Sequence, residues 1–553
     1  MIGAAWGTPA SAADLTAESI LKAAAPGQNV ERAAGLAIVI DDDAALACDL
    51  ASKSAMLVQL LIADEAKLSA TRTLVQERNL AGRVVVHVRP AGGRLPHPDR
   101  FANLIVADLD AASNAAIRIE DLRRVLALRG EIHVREQGQW RTEQSAPRDR
   151  LDGWFAHWYD ASGNCVSQDR EAGFPRIVQW QHGPAFEDGT ADGKIMRIAD
   201  GRAVYIDNTT GDVVCRDAAH GLLLWRRNVG LDQRSDVSIA AGEVFLWHDS
   251  TANTAASKKR NEAGPLVALS LASGEIVRAY DQGLKAGTAK PVVVSRSDRQ
   301  VNESPVPWFV VTNDHVVQAY GPDLVVLDRR TGARRWAKTI EGATWFSPIV
   351  SDGLVLAAEA VEPGKRQRND GAEEVRAVTA FDLKSGERAW RNESVHPERQ
   401  LKDAKVGLFT DRASFKTMSA ANGLLLLHVS SYQFREGGSI AILDLRTGRE
   451  LWRHSFDPKE LYTQGSQRPV IRGDEVVVLD GTGVYRFEAK TGKPIGDPVK
   501  RPRDVKRTGR VNGACTASRA TVDWLMANAW LFVGPDGKPL VQHGARAGCG
   551  QGA

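Results

Sequence analysis

The stretch ILDLRTGRELWRHSF, residues 442–456, reads as a strand, a tight turn and a second strand. Its skeleton is Asp444, then Thr447–Gly448 three and four residues on, then Trp452 eight residues on. The same spacing returns as Asp328, Thr331–Gly332 and Trp336, and again as Asp382, Ser385–Gly386 and Trp390. Looser copies are Asp217, His220–Gly221 and Trp225, then Ser270, Ser273–Gly274 and Arg278, and finally Glu488, Thr491–Gly492 and Gly496. The glycines therefore fall at 221, 274, 332, 386, 448 and 492.

A repeat of this length, carrying several strands per unit, predicts a β-propeller. The local chemistry agrees. Residues 439–445, SIAILDL, are apolar on both faces, as a strand buried between neighbouring blades should be. The Thr/Ser–Gly step supplies a residue able to adopt positive φ, which a short hairpin with a G1 bulge requires. The aspartate can bond the turn backbone, and the tryptophan offers a large surface to the adjacent blade.

The Asp-x-x-Thr-Gly-x-x-x-Trp skeleton resembles the repeat of the quinoprotein (PQQ-type) β-propeller superfamily, over roughly residues 200–500. That superfamily includes PQQ-dependent alcohol dehydrogenases and the cofactor-free lipoprotein of the outer-membrane assembly machine. Six skeletons plus residues 517–540 predict seven blades; an eighth could combine residues 176–183 with C-terminal strands. The resemblance implies that a PQQ-binding member would carry adjacent cysteines, a Trp beneath the cofactor and a calcium site of acidic and amide side chains. This chain has no Cys-Cys pair, and its blade tryptophans are accounted for by packing. No cofactor is therefore expected, with PQQ plus calcium as one alternative.

Residues 14–150 have a different rhythm. Short apolar strands at 36–40, 55–62, 83–88, 102–109 and 131–134 alternate with helical patterns at 41–53, 63–79 and 119–130. This predicts a parallel, doubly wound Rossmann-like sheet. The order resembles a class I S-adenosylmethionine (SAM) methyltransferase over about 110 residues, with the last strands shortened or absent. The resemblance places a glycine-rich, cofactor-cradling turn after the first strand. Here those positions read Asp41, Asp42, Asp43, Ala44 and Ala45. It places a ribose-gripping acid at the end of the second strand, where this chain has Ile62, with Asp64 two residues late. Both departures predict a degenerate site, with SAM as a further alternative cofactor. The acidic trio is expected to cap the following helix.

Composition narrows the function classes. A formal charge of +3 on 553 residues implies no nucleic-acid partner, and no apolar run is long enough to span a membrane. Residues 1–14, MIGAAWGTPASAAD, look like the tail of a secretory signal cleaved near Ala12 or Ala13, which predicts an extracytoplasmic protein. The expected organisation is thus a signal remnant at 1–13, the degenerate domain at 14–150 and the propeller at 151–553. Of five cysteines, Cys515 and Cys549 flank the last repeat and are the candidate disulfide. The junction at 153–164, with Trp154, Trp158 and Tyr159, is expected to pack between the domains or under the first blade. No nucleophile elbow, P-loop, zinc signature or metal motif stands out. The functional expectation is a non-catalytic scaffold engaging a protein or polysaccharide at the propeller face. The alternatives are a quinoprotein oxidoreductase and a SAM-dependent methyltransferase.

Overall fold

A computed structural model describes residues 15–24, 33–41, 43–145, 150–174, 196–207, 210–229, 237–247, 265–284, 292–296, 299–303, 308–361, 375–393, 413–431, 438–456, 469–479, 483–500, 519–527 and 531–541. The proposed signal remnant, Asp42, residues 176–183 and the pair Cys515 and Cys549 lie outside them.

The N-terminal part contains one six-stranded sheet. Its strands are β1 (Leu36–Ile40), β2 (Leu57–Ile62), β3 (Val84–Val88), β4 (Ala102–Asp108), β5 (Leu126–Glu136) and β6 (Gln139–Gln144). They lie in the order β3-β2-β1-β4-β5-β6, parallel throughout except for the antiparallel β5–β6 hairpin at the edge. Helices α1 (Ala17–Ala24), α2 (Ala45–Lys53) and α3 (Leu68–Glu77) pack on one face, through Leu21, Leu50 and Val75 against Val39, Leu60 and Val106. On the other face, α4 (Ile119–Val125) sets Leu122 and Val125 against Ile38, Ile105 and Ile132. Burial on both faces is why these strands read as unbroken apolar runs rather than alternating ones.

Two boundaries differ from the sequence reading. The helical pattern at 119–130 stops at Val125, because Leu126 turns to extended backbone and begins β5. The strand read at 131–134 is longer than that: β5 runs from Leu126 to Glu136, and β6 adds an edge of partly buried and exposed residues.

The rest is a propeller of small, mostly antiparallel sheets. Seven of them follow in chain order among the described residues, spanning 197–228, 238–279, 308–339, 343–392, 413–456, 470–500 and 519–541, here blades one to seven. A two-stranded ribbon, Val292–Arg296 with Arg299–Glu303, intervenes between blades two and three. Blades one to six each run as a four-stranded meander. The first strands of successive blades touch one another and so surround the axis. Blade seven gains a fifth strand, Val166–Ser167, parallel to Arg519–Thr521.

Each repeat skeleton sits in the hairpin joining the third and fourth strands of a blade. A register shift recurs there in blades one to five, at Cys215/Arg216, Ala268/Leu269, Val326/Leu327, Ala380/Phe381 and Ile442/Leu443. The glycine beyond it has φ near 70°, for example 73° at Gly332 and 68° at Gly448, the left-handed conformation a bulged hairpin demands.

The glycine has a second reason to lack a side chain. A Cβ at Gly448 would lie 2.5 Å from the Trp390 ring of the preceding blade, and Gly274, Gly386 and Gly492 face Trp225, Trp336 and Trp452 in the same way. Each indole Nε1 then donates to a carbonyl of the next blade: Trp225 to Leu271, Trp336 to Leu383, Trp390 to Leu445 and Trp452 to Ala489, all at 2.8–2.9 Å. Blade two has Arg278 where the tryptophan would stand. There Tyr280, two residues on, packs beside Gly332 and donates its hydroxyl to the Arg329 carbonyl at 2.6 Å.

Candidate functional site

In a propeller the axis is the natural ligand site, because all inner strands converge on it. Here the chain itself runs through that region. The segment from Asp152 to Ser167 bonds the inner strand of one blade after another. Trp154 exchanges backbone hydrogen bonds with Ile198 of blade one, and Phe155 accepts from Ile239 of blade two. Ala161 accepts from Val350 of blade four, Ser162 from Ala420 of blade five and Cys165 from Ala520 of blade seven. Asn164 serves blade six with its side chain: Nδ2 donates to the Ile471 carbonyl at 2.8 Å, and Oδ1 accepts from the Ile471 amide at 3.0 Å. Ala161 also packs into the apolar cluster shared by blades three and four.

The two ends of this axial loop are buckled by one carboxylate. Asp152 Oδ2 accepts from the Tyr159 hydroxyl at 2.6 Å, from the Ser167 hydroxyl at 3.0 Å and from the Gln168 amide at 2.6 Å. Burial, and then the neighbouring Asp152 carboxylate, push the Tyr159 phenol well above its ordinary range, so it stays a donor. Burial also raises Asp160, against two bonds from Ser162 that favour its ionised form. Tyr159 has φ of 76°, an uncommon value for a residue with a side chain. Of the junction aromatics, Trp154 pairs through its backbone with blade one, while the side chains of Trp154 and Trp158 pack against the core of blades six and seven. His157 stacks edge-on against Trp158.

The second candidate is the carboxyl edge of the N-terminal sheet, where ligands of such folds bind. Its acidic residues bond the backbone. Asp41 Oδ1 accepts from the Asp43 amide at 3.1 Å, and Asp43 Oδ1 from Ala45 at the start of α2 at 2.9 Å. Asp64 Oδ1 accepts from Ala66 at 2.9 Å and so caps the turn before α3. Ile62 is fully buried in the core. Among the described residues, no three His, Cys, Asp or Glu side chains gather into a metal-binding group.

A third feature lies where the sheet meets blade one. Asn103, at the start of β4, donates to Asp217 at 2.6 Å and bonds His220 Nε2 at 2.8 Å, while Phe101 meets the His220 ring edge-on. Arg129 pairs with Asp200 at 2.7 Å across the same junction. Burial lowers the His220 pKa and Asp217 raises it, the first outweighing the second, so the ring is held neutral. The cavity beside them, about 90 Å³, is lined by Met56, Asn103, Glu131, Arg202 and Asp217 among others. It lies at the amino ends of the parallel strands and is far smaller than a nucleoside cofactor requires.

Three residues that build these sites escaped the sequence reading, Asn103, Asp152 and Asn164, as did Arg519, whose guanidinium lies over the Trp154 ring at 4.6 Å. The first three are ordinary polar residues next to strands or turns. Arg519 left one trace, a cation at the head of the short strand Arg519–Thr521.

Residues 273–495 match the PQQ-repeat family described as outer membrane protein assembly factor BamB, a stretch of less than half the chain. No curated protein matches. Among solved structures the chain is similar to a europium-containing methanol dehydrogenase, with 11% identity, 72% of this chain and 86% of that one covered, and a TM-score of 0.41. A quinohemoprotein alcohol dehydrogenase from Pseudomonas putida HK5 aligns over 70% of this chain and 51% of its own, at 14% identity and a TM-score of 0.29. A putative SAM-dependent methyltransferase from Methanococcus maripaludis aligns over 21% of this chain and 52% of its own, at 23% identity and a TM-score of 0.18. At these scores none of the three assigns an activity. The repeat match, the succession of small sheets and the docked indoles have one thing in common: the C-terminal part of this chain is a propeller of the PQQ-like type.

Proposed function

We propose that this protein is a non-catalytic binding scaffold, with a PQQ-like propeller that presents its face to a partner and a degenerate methyltransferase-like domain docked on blade one. The observation that carries this reading is the axial loop. A planar cofactor on the axis would compete with the hydrogen bonds that residues 152–167 make to the inner strands of six blades, five through backbone groups and the sixth through the Asn164 side chain. Supporting it at the other end, the carboxylates of Asp41, Asp43 and Asp64 are spent on neighbouring amides, and Ile62 stands where a ribose would need an acid. The partner is a protein or polysaccharide outside the cytoplasm, in keeping with the signal-like start of the sequence.

The test is a thermal-shift series on the full chain, with S-adenosylhomocysteine in one arm and PQQ plus calcium in the other. A ligand of the folded state present at a hundred times its Kd adds about 2.7 kcal/mol, a readily visible shift. Unmoved midpoints in both arms are expected. A dose-dependent rise with S-adenosylhomocysteine would revive the methyltransferase reading, and one confined to PQQ plus calcium the oxidoreductase reading.

A further inference from the structure

Arg519 opens the inner strand of blade seven, at a position that the register sets opposite Met526 of the next strand. It is only 9% exposed. Its guanidinium lies over the Trp154 ring at 4.6 Å, and among the described residues it forms no ion pair. Two of its donors, Nε and Nη2, are buried without a hydrogen-bond partner. They are the two nitrogens of one edge of the guanidinium, whose parallel N–H bonds match the two oxygens of a carboxylate.

The surroundings make the missing partner more conspicuous. Arg197, at the head of the inner strand of blade one and fully buried, is the neighbouring charge that acts on Arg519. Burial first, and then Arg197, lower the Arg519 pKa to about 10, with only the Cys165 thiol acting the other way. Arg197 has a partner of its own, its Nε donating to the Val237 carbonyl at 2.8 Å, whereas a buried guanidinium such as that of Arg519 is costly unless an anion accompanies it. Trp154 cannot serve as a platform for a flat ring, because the guanidinium already covers that face.

We propose that the Nε/Nη2 edge of Arg519, backed by Trp154, is a binding site for a carboxylate, taken side-on and bidentate. The carboxylate belongs either to a small free acid or to the free C-terminus of a bound peptide. The site stands independently of the scaffold reading, since it requires neither PQQ nor SAM.

The experiment measures the thermal midpoint of the full chain against acetate, succinate, tetra-alanine and tetra-alanine amide, each balanced with sodium chloride for ionic strength. Wild type is expected to rise by at least about 2 °C, dose-dependently, with one or more of the three acids and not with the amide. A response to acetate or succinate identifies a small acid as the source, and a response to the peptide acid alone a partner's C-terminus. Arg519→Met is expected to lose that response while melting no lower than wild type in carboxylate-free buffer, since it removes an unpaired buried charge. Arg519→Lys, which keeps the charge but not the fork, should lose most of it. A wild-type chain indifferent to all three acids, or a response that Arg519→Lys retains in full, would overturn the proposal.

Discussion

At the scale of single residues, the repeat glycines separate two demands that usually coincide. Gly353 and Gly448 both have positive φ, 77° and 68°. A Cβ at Gly353 meets nothing within 4 Å, whereas at Gly448 it would meet the Trp390 ring at 2.5 Å. Alanine at Gly353 should therefore cost only the left-handed backbone, about 1–2 kcal/mol. Gly448→Ala should cost that plus the displacement of the indole and its bond to Leu445, a further ~2 kcal/mol or more. Thermal unfolding of the two variants side by side measures the difference; equal losses would mean that the indole contact is not specific. His220 shows the same logic from the other side. It occupies the place of the motif threonine, and its ring reaches Asn103 of the N-terminal sheet, so the loosest-looking position of the first copy is where the sheet docks.

At the scale of the element, the motif aspartates hold the hairpins through their charge. Thr447 donates both its hydroxyl and its amide to Asp444, at 2.7 and 2.8 Å, and these bonds hold the Asp444 pKa below its ordinary value. Asp382 is lowered by Ser385, and Asp328 by Thr331 and then Arg335. A carboxylate whose folded pKa lies below its unfolded value of about 3.9 stabilises the fold above that pH. The contribution disappears as pH falls through the lower folded value. Wild type is thus expected to lose stability below about pH 4, and Asp444→Asn to lose less over the same range while starting lower at neutral pH. Midpoints recorded from pH 6 to pH 2 test this, and parallel curves would rule it out. The hairpins were legible in advance because all their parts lie within nine residues of one another. The end of α4 was not, since the pattern at 119–130 suits a helix and only pairing with β4 turns its second half into strand.

For the whole molecule, closure of the ring depends on a segment that is far from the blades in sequence. Asn164 is 307 residues from Ile471, yet it satisfies both backbone groups of that residue inside the protein. Asn164→Ala leaves a buried amide and a buried carbonyl unpaired and should cost about 2–4 kcal/mol. Hydrogen exchange at Ile471 and its neighbours should accelerate with it; a melting point and exchange pattern like those of wild type would show that the axial loop does not clamp the ring.

The sequence by itself determined the repeat, its turns, the propeller and the alternation of strands and helices before it. Each of those rests on local spacing, with 3.6-residue, two-residue and blade-length periods written directly in the chain. Only the tertiary structure decided what fills the axis, which residues join the sheet to blade one, and that the Arg519 guanidinium is buried against Trp154. Asn103, Asp152, Asn164 and Arg519 are commonplace residues in sequence. They acquire a role because folding brings together partners that a local pattern does not link, some of them hundreds of positions away, in a space without water where an unpaired charge or amide is costly.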